Sequence, residues 1–199
     1  MASNDIELLE RFVETFGRVD GRLESSDPIP AELRVAPAGP DEHGFPNERW
    51  RPIKVRPTTE GLAKMYERLG SSFPPLYEQL VLNYRWMEVE IEPCTFLANP
   101  SSDLFGDHGL HTNITLDAIL TRTLLPAGYV RFAKGPDLCY DPLCFETGRR
   151  DASGDCPIVQ FEHESILCHD RIGEKWELFP SFRALVESVV DLDTRHTYR

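Results

Sequence analysis

Long apolar runs are missing from this sequence of 199 residues. Nowhere do about 18 apolar residues follow one another, the length that a membrane-spanning helix needs. The first residues, MASNDIELLERF, also lack the basic region and apolar stretch that mark a secretion signal. We therefore expect no membrane span and a cytoplasmic location. The length fits one domain with enough chain to bury a full core.

Positive charge is scarce as well. The 21 lysine and arginine residues face 33 aspartate and glutamate residues, which gives a net charge of −12. Such a chain repels a phosphate backbone, so we expect no nucleic-acid partner. One cationic stretch, RWRPIKVR at 49–56, includes an aromatic side chain, as single-strand binders do. We interpret it as an extended arm whose basic side chains pair with the chain's own carboxylates.

Motifs for bound ions and phosphates are absent from the sequence. No Asp-x-Asp-x-Asp-Gly loop occurs, although that pattern is typical of a calcium site. The glycines at 106–109 and 135–136 lack the strand and the lysine of a phosphate-binding loop. The sequence therefore predicts no cofactor.

Cysteines number five, an odd count that favours reduced thiols over a disulfide framework. Four of them fall near two histidines, and thiolate with imidazole suits zinc. These residues are Cys139, Cys144, Cys156, His163, Cys168 and His169. The closest cysteine pair is followed by no second pair, which departs from the usual ligand spacing. We predict no metal; the alternative is a zinc site formed by Cys139, Cys144, Cys156, His163 and Cys168.

The same cluster raises the alternative of a hydrolase. Cys144 or Cys168 would be the nucleophile beside His163 or His169, and an acid would orient the imidazole. The acids available for that role are Asp141, Asp155 and Glu164. A reactive thiol needs a lowered pKa, for example at the start of a helix, and neither cysteine is at a predicted helix start. The sequence therefore favours a protein that is not an enzyme.

Hydrophobic periodicity predicts several helices. Asn4 and Glu7 have the spacing of a capping box, so a first helix is expected over 5–16. Further helices are predicted at 59–69, 75–84, 116–124 and 182–191, with Gly70 ending the first of these and Ser181 capping the last. Seven prolines between residues 28 and 57 forbid long regular elements there.

Alternation of apolar and polar residues predicts strands beyond Trp86. They are expected at 89–91, 95–98, 129–133, 138–145 and 158–163. Their meander order favours antiparallel pairing. The predicted fold is α+β, with a central, mainly antiparallel sheet of about five strands flanked by helices. Residues 1–58 form a helix and a proline-rich arm packed on the outside, 59–191 form the domain, and 192–199 form a polar tail.

Five segments occur in an order that resembles a known family. They are FPPLY at 73–77, LPAGYVRFAKG at 125–135, YDPLCF at 140–145, PIVQFEHE at 157–164 and SF at 181–182. As a set they resemble the SMI1/KNR4 (SUKH) family over about residues 71–191. The resemblance implies a mixed sheet flanked by helices and no shared catalytic residues. It also implies a binding role, because the family's bacterial members include immunity proteins against secreted toxins and its fungal members are regulatory binding proteins.

We therefore expect a non-enzymatic protein that binds another protein. The specific hypothesis is an immunity protein that neutralises a basic toxin domain, since an acidic surface attracts a basic partner. The expected binding face lies at strand ends and loops where acids flank an aromatic residue. Its residues are Asp137, Tyr140, Asp141, Asp155 and Glu164. Core packing is the alternative for Tyr140.

Overall fold

The computed structural model describes residues 3–16, 23–25, 28–37, 40, 44, 48–136 and 139–197. The α-helices in these residues are α1 (Ser3–Glu14), α2 (Leu62–Leu69), α3 (Pro75–Asn83), α4 (Leu110–Thr115), α5 (Ala118–Leu124), α6 (His163–His169) and α7 (Phe182–Thr197). The strands are β1 (Glu24–Ser25), β2 (Arg34–Pro37), β3 (Glu48–Trp50), β4 (Ile53–Lys54), β5 (Tyr84–Arg85), β6 (Val89–Ile91), β7 (Cys94–Phe96), β8 (Tyr129–Lys134), β9 (Pro142–Glu146), β10 (Ile158–Phe161) and β11 (Lys175–Phe179).

Six of the strands form one antiparallel sheet in the order β11-β10-β9-β8-β7-β6. Each strand therefore pairs with its neighbour in the sequence, as the predicted meander requires. The α+β class is confirmed, while β11 is a sixth strand that was not predicted. Two smaller sheets have the strand orders β1-β3-β2 and β4-β5.

Aromatic side chains fill the main core, between the sheet and helices α1, α3 and α7. Phe132 and Phe145, on adjacent strands, stack with 4.2 Å between their ring centroids. The ring of Phe182 in α7 lies 5.1 Å from Tyr77 of α3 and 6.4 Å from Phe12 of α1. The apolar stripes of three helices therefore meet over the same face of the sheet.

A smaller core lies on the opposite face, beneath α5 and α6. It consists of Leu120, Leu124, Cys144, Val159, Phe161 and Ile166. Cys144 and Phe145 are consecutive in β9 yet belong to different cores, because successive side chains of a strand point to opposite faces. Among the residues of α6, Ile166 alone is buried, so this helix has no apolar stripe that its sequence could reveal.

Side chains of the N-terminal segment, for which a helix and a proline-rich arm packing on the domain were predicted, enter the main core. Phe12, Leu33 and Trp50 are all buried there. Strands β1 to β4 are two to four residues long, and their brevity agrees with the many prolines. Arg183 of α7 also donates a hydrogen bond to Asp5 of α1 at 2.7 Å. The first and last helices of the chain are therefore in direct contact.

The cationic stretch at 49–56 pairs with carboxylates of the same chain, as predicted. Arg49 Nε lies 3.3 Å from Glu24 Oε1, and Lys54 Nζ lies 2.6 Å from Glu10 Oε1. Both pairs are partly exposed, so solvent screens them and each stabilises the fold only weakly. Their main effect is to offset local charge.

Two helix boundaries follow the sequence signals. Gly70 has a φ of 72° and ends α2, where a side chain would strain the backbone. Ser181 Oγ accepts a hydrogen bond from the backbone N–H of Ala184 at 3.0 Å and so caps α7. Both residues were predicted in these roles.

Several boundaries differ from the prediction, among them the start of β9, which is Pro142 where a strand from 138 was predicted. Helix α1 begins at Ser3, so Asn4 lies inside it and is not the first residue of a capping box. Helix α6 begins at His163, where the end of a strand was predicted. Helix α7 continues to Thr197, through most of the predicted polar tail. None of the helices in the described residues is long and apolar enough to span a bilayer.

Candidate functional site

The loop before β9 meets the start of α6 at one end of the main sheet. Asp141 directly precedes β9, and His163 begins α6 shortly after β10 ends. Because β9 and β10 are antiparallel neighbours, the start of one lies beside the end of the other. The Asp141 carboxylate accepts hydrogen bonds from the His163 backbone N–H and from Gln160 Nε2, both at 3.0 Å. Its Oδ1 atom also lies 2.7 Å from His163 Nδ1.

These contacts determine the charge of Asp141. Burial acts to raise the pKa of its carboxyl, but the hydrogen bonds from His163 and Gln160 outweigh that effect and hold the pKa below its ordinary value. Asp141 is therefore an anion at neutral pH. A carboxylate at this distance orients the imidazole ring and favours a proton on Nδ1 of His163.

Tyr140 adjoins this pair and lines a cavity of about 390 Å³. Its side chain is 65% exposed, so the alternative of core packing is wrong. Its ring centroid lies 6.1 Å from that of His163. Leu116, in the short link between α4 and α5, is 77% exposed and lines the same cavity. An exposed aromatic residue and an exposed leucine therefore share one concave surface.

Charged residues also line this cavity, and they have partners within the chain. Lys134 Nζ lies 2.7 Å from Glu88 Oε1. Asp117 Oδ1 accepts hydrogen bonds from two backbone N–H groups in the first turn of α5, at 2.8 and 2.9 Å. This carboxylate therefore caps the helix. The charges of these residues are largely balanced locally, which leaves the apolar side chains as the prominent exposed groups of the cavity.

Arg131, in the middle of β8, joins the sheet to α4. Its Nη2 atom donates hydrogen bonds to the carbonyl oxygens of Asn113 and Ile114, at 2.8 and 3.1 Å. Carbonyls in the last turn of a helix lack partners within that helix, and Arg131 supplies one. Burial lowers the pKa of Arg131, but a guanidinium remains a cation at neutral pH. This contact fixes the end of α4, directly before the exposed Leu116.

Asp155 corrects one prediction for the binding face. Its side chain is only 6% exposed. The carboxylate accepts hydrogen bonds from the backbone N–H groups of Cys156 at 2.8 Å, Phe182 at 3.1 Å and Arg183 at 3.3 Å. It therefore caps α7 together with Ser181, and it is not an exposed anchor for a partner.

The other predicted face residues have different positions. Asp137 lies outside the described residues. Glu164 is exposed in the first turn of α6, next to His163. Tyr140, Asp141 and Glu164 thus lie at one end of the sheet, while Asp155 lies at the start of α7.

The cysteines of the predicted zinc alternative do not converge. Cys144 is buried in the smaller core and Cys156 in the main core, on opposite faces of the sheet. Cys139 is half-buried near Gly135, and Cys168 is exposed in the last turn of α6. Within the described parts of the chain, no three His, Cys, Asp or Glu residues are grouped so that they could hold a metal ion.

One of the two candidate nucleophiles of the hydrolase alternative, Cys144, is buried. Burial raises the pKa of the Cys144 thiol well above its ordinary value, and it raises that of Cys156 to about 12. Both groups are therefore thiols at neutral pH, whereas the thiolate is the nucleophile. In the residues that the structure describes, His163 has Asp141 as its partner and neither Cys144 nor Cys168 is hydrogen-bonded to a histidine.

Leu116 is the site residue that the sequence did not identify. Periodicity assigned it to the buried stripe of a helix at 116–124, but α5 begins at Ala118 with Asp117 as its cap. Leu116 thus precedes the helix and points away from the core. The signal that could have revealed this is Asp117, because aspartate is a favoured helix cap.

No protein-family model matches this sequence, and a search of curated proteins finds no relative. The site must therefore be interpreted from its own chemistry.

Proposed function

We propose that this chain is a non-enzymatic protein-binding module whose binding surface surrounds the cavity between Leu116 and Tyr140. The observation that carries this proposal is the exposure of these two apolar residues, 77% and 65%, on one concave surface. Exposure of a large apolar side chain to water is unfavourable, and burial of that side chain against a partner would lower the free energy of the complex. Aromatic anchors beside a pocket are the usual centre of a protein interface.

The proposed partner presents an apolar side chain that is surrounded by basic residues. Asp141 is held as an anion next to Tyr140, Glu164 is exposed close by, and the chain carries a net charge of −12. An apolar side chain of the partner would enter the cavity, and cationic side chains around it would face the acidic rim. Such complementarity raises the rate of association and selects basic partners.

Within this proposal, the specific candidate is an immunity protein of the SMI1/KNR4 type that neutralises a basic toxin domain. The five short segments between residues 73 and 182, which occur in the order typical of that family, support it, and so does the excess of acidic residues. The antiparallel sheet flanked by helices agrees with the expected fold class. Binding is favoured over thiol hydrolysis because the Cys144 thiol is buried with a raised pKa and, in the described residues, Cys168 is not hydrogen-bonded to a histidine.

Rescue and binding experiments test the proposal. Candidate toxins come from genes next to the coding sequence, and each is co-expressed with this chain while cell growth is measured. We expect growth to be rescued and calorimetry to detect a complex. Leu116→Ser or Tyr140→Ala should weaken that complex about tenfold or more, which corresponds to a hot spot worth about 1.4 kcal/mol or more.

Val35→Ser provides the matched control. Val35 is also an exposed apolar residue, at 55%, but it lies on β2 and does not line the cavity. This variant should bind and rescue like the unmodified chain. The proposal fails if no neighbouring product is bound, or if the three variants bind with equal affinity.

A further inference from the structure

Strand β11 forms an open edge of the main sheet. In the part of the chain that the structure describes, it pairs with β10 and with no other strand. One side of β11 therefore presents backbone N–H and C=O groups without strand partners. Residues 174–177 are all exposed, and among them Trp176 keeps 43% of its surface accessible. An open edge and an exposed tryptophan thus occur at the same place.

The opposite edge of the sheet, β6, has a different character. It is only three residues long, and its Val89 and Ile91 are buried. Glutamates at positions 88, 90 and 92 follow its length. Short length and charge are the features by which proteins protect an edge strand from further pairing. Strand β11 is longer, at five residues, and its exposed aromatic side chain favours contact.

We propose that β11 pairs in antiparallel fashion with β11 of a second copy of this chain, around a two-fold axis at Trp176. This self-association is independent of the partner proposed for the cavity. In such a pair the two Trp176 side chains are directly opposite each other on one face. On the other face, Lys175 of each copy is opposite Glu177 of the second copy. The sequence Lys-Trp-Glu is therefore complementary to itself when it is read in opposite directions.

Charges around β11 suit this arrangement. Lys175 Nζ lies 2.9 Å from Glu146 within the chain, and Arg149 Nη1 lies 2.7 Å from Glu177. Positive and negative side chains therefore already alternate across this face of the sheet. The second copy continues the alternation, because each lysine gains another carboxylate and each glutamate another ammonium group. Opposite charges on directly opposed strand positions stabilise a sheet, whereas like charges destabilise it.

The first test is the mass of the protein in solution. Light scattering across a concentration series, at physiological ionic strength, should give a mass that rises from 22.7 kDa toward twice that value. Trp176→Lys places two lysines opposite each other and should remain at 22.7 kDa at every concentration. Val35→Ser, which alters an exposed apolar residue on β2, should dimerise like the unmodified chain. Circular dichroism confirms that each variant is folded.

A second test reads the register of the pairing. In a Cys168→Ser background, which removes the exposed thiol, mild oxidation should join two Trp176→Cys chains by a disulfide, because their Cα atoms are directly opposite. Lys175→Cys chains should be joined several-fold more slowly, since that position is opposite residue 177. A mass of 22.7 kDa at all concentrations, or equal cross-linking at positions 175 and 176, would overturn the proposal.

Discussion

The two faces of the main sheet differ in what they bury. The face toward α1, α3 and α7 is packed with rings, and the stacked pair Phe132 and Phe145 lies at its centre. The face toward α5 and α6 buries six residues, and beyond them it bears Arg131 and the cavity with Leu116 and Tyr140. The first face therefore supplies most of the apolar burial that stabilises the fold. The second, more thinly covered face has surface available for binding.

A matched pair of truncations tests this contrast most strongly. Phe182 and Phe161 are both fully buried, but Phe182 has five aromatic neighbours within 6.4 Å, whereas Phe161 contacts Tyr129 at 4.7 Å. Phenylalanine to alanine changes in cores cost about 3–5 kcal/mol. We expect Phe182→Ala to lower the free energy of unfolding by close to the upper value and Phe161→Ala by close to the lower one.

Urea denaturation of both variants, with a common m-value, measures this difference. Equal losses, or a larger loss for Phe161→Ala, would mean that the smaller core stabilises the fold at least as much as the main core and would contradict the comparison.

Asp155 offers a second, smaller test of the main core. Its carboxylate caps α7 and is buried. Asp155→Ala should lower the free energy of unfolding by about 1–3 kcal/mol, because it leaves buried backbone N–H groups without an acceptor. Asp155→Asn keeps an acceptor oxygen and should lose less. Identical losses in the two variants would show that the hydrogen bonds do not stabilise the helix start.

The smallest expected effect concerns His111 of α4, which packs beside Phe105 at the edge of the main core. Burial lowers the pKa of His111, and the nearby cations Arg68 and Lys64 lower it further. Its ring lies 4.7 Å from that of Phe105, over which both cations are also positioned. In the window between this lowered pKa and the ordinary value of about 6.5, the unfolded chain binds more protons than the folded chain.

Stability should therefore decrease as the pH falls from about 6.5 through the lowered pKa of His111. His111→Phe should remove this part of the pH dependence between pH 7.5 and 5. Thermal melts of the two proteins at each pH give the comparison, and proton NMR of the imidazole gives the midpoint directly. A midpoint above 6.5 would reverse the expected sign.

Strong local patterns explain which elements were predicted. Helix α3 begins with prolines and has a regular apolar stripe, and β6 alternates strictly between apolar residues and glutamates. Both therefore match the prediction. Helix α6 buries only Ile166, and β11 is an edge strand with three exposed residues. Neither needs a regular apolar pattern, because each is stabilised by neighbours that are distant in the sequence.

Only part of the candidate site could be predicted, because some of its residues are brought together by contacts between segments that are distant in the sequence. Tyr140 and Asp141 were predicted as residues of the binding face, but inside a strand at 138–145; β9 begins only at Pro142, so both lie in the loop before it. Leu116 and Arg131 form the site with them only because α4 folds back against β8, where Arg131 bonds Asn113. Asp155 was assigned to the wrong surface because the backbone N–H groups that donate hydrogen bonds to its carboxylate belong to Phe182 and Arg183, which are distant in the sequence.

The contact between the first and last helices has a consequence for the order of folding. Each strand of the main sheet pairs with its neighbour in the sequence, across connections much shorter than the whole chain. The hydrogen bond between Asp5 and Arg183, by contrast, closes a separation of 178 residues. Each doubling of a closed loop adds about 0.6 kcal/mol of entropic cost. During synthesis α1 emerges long before α7, so its Phe12 lacks the contact with Phe182 until α7 has formed.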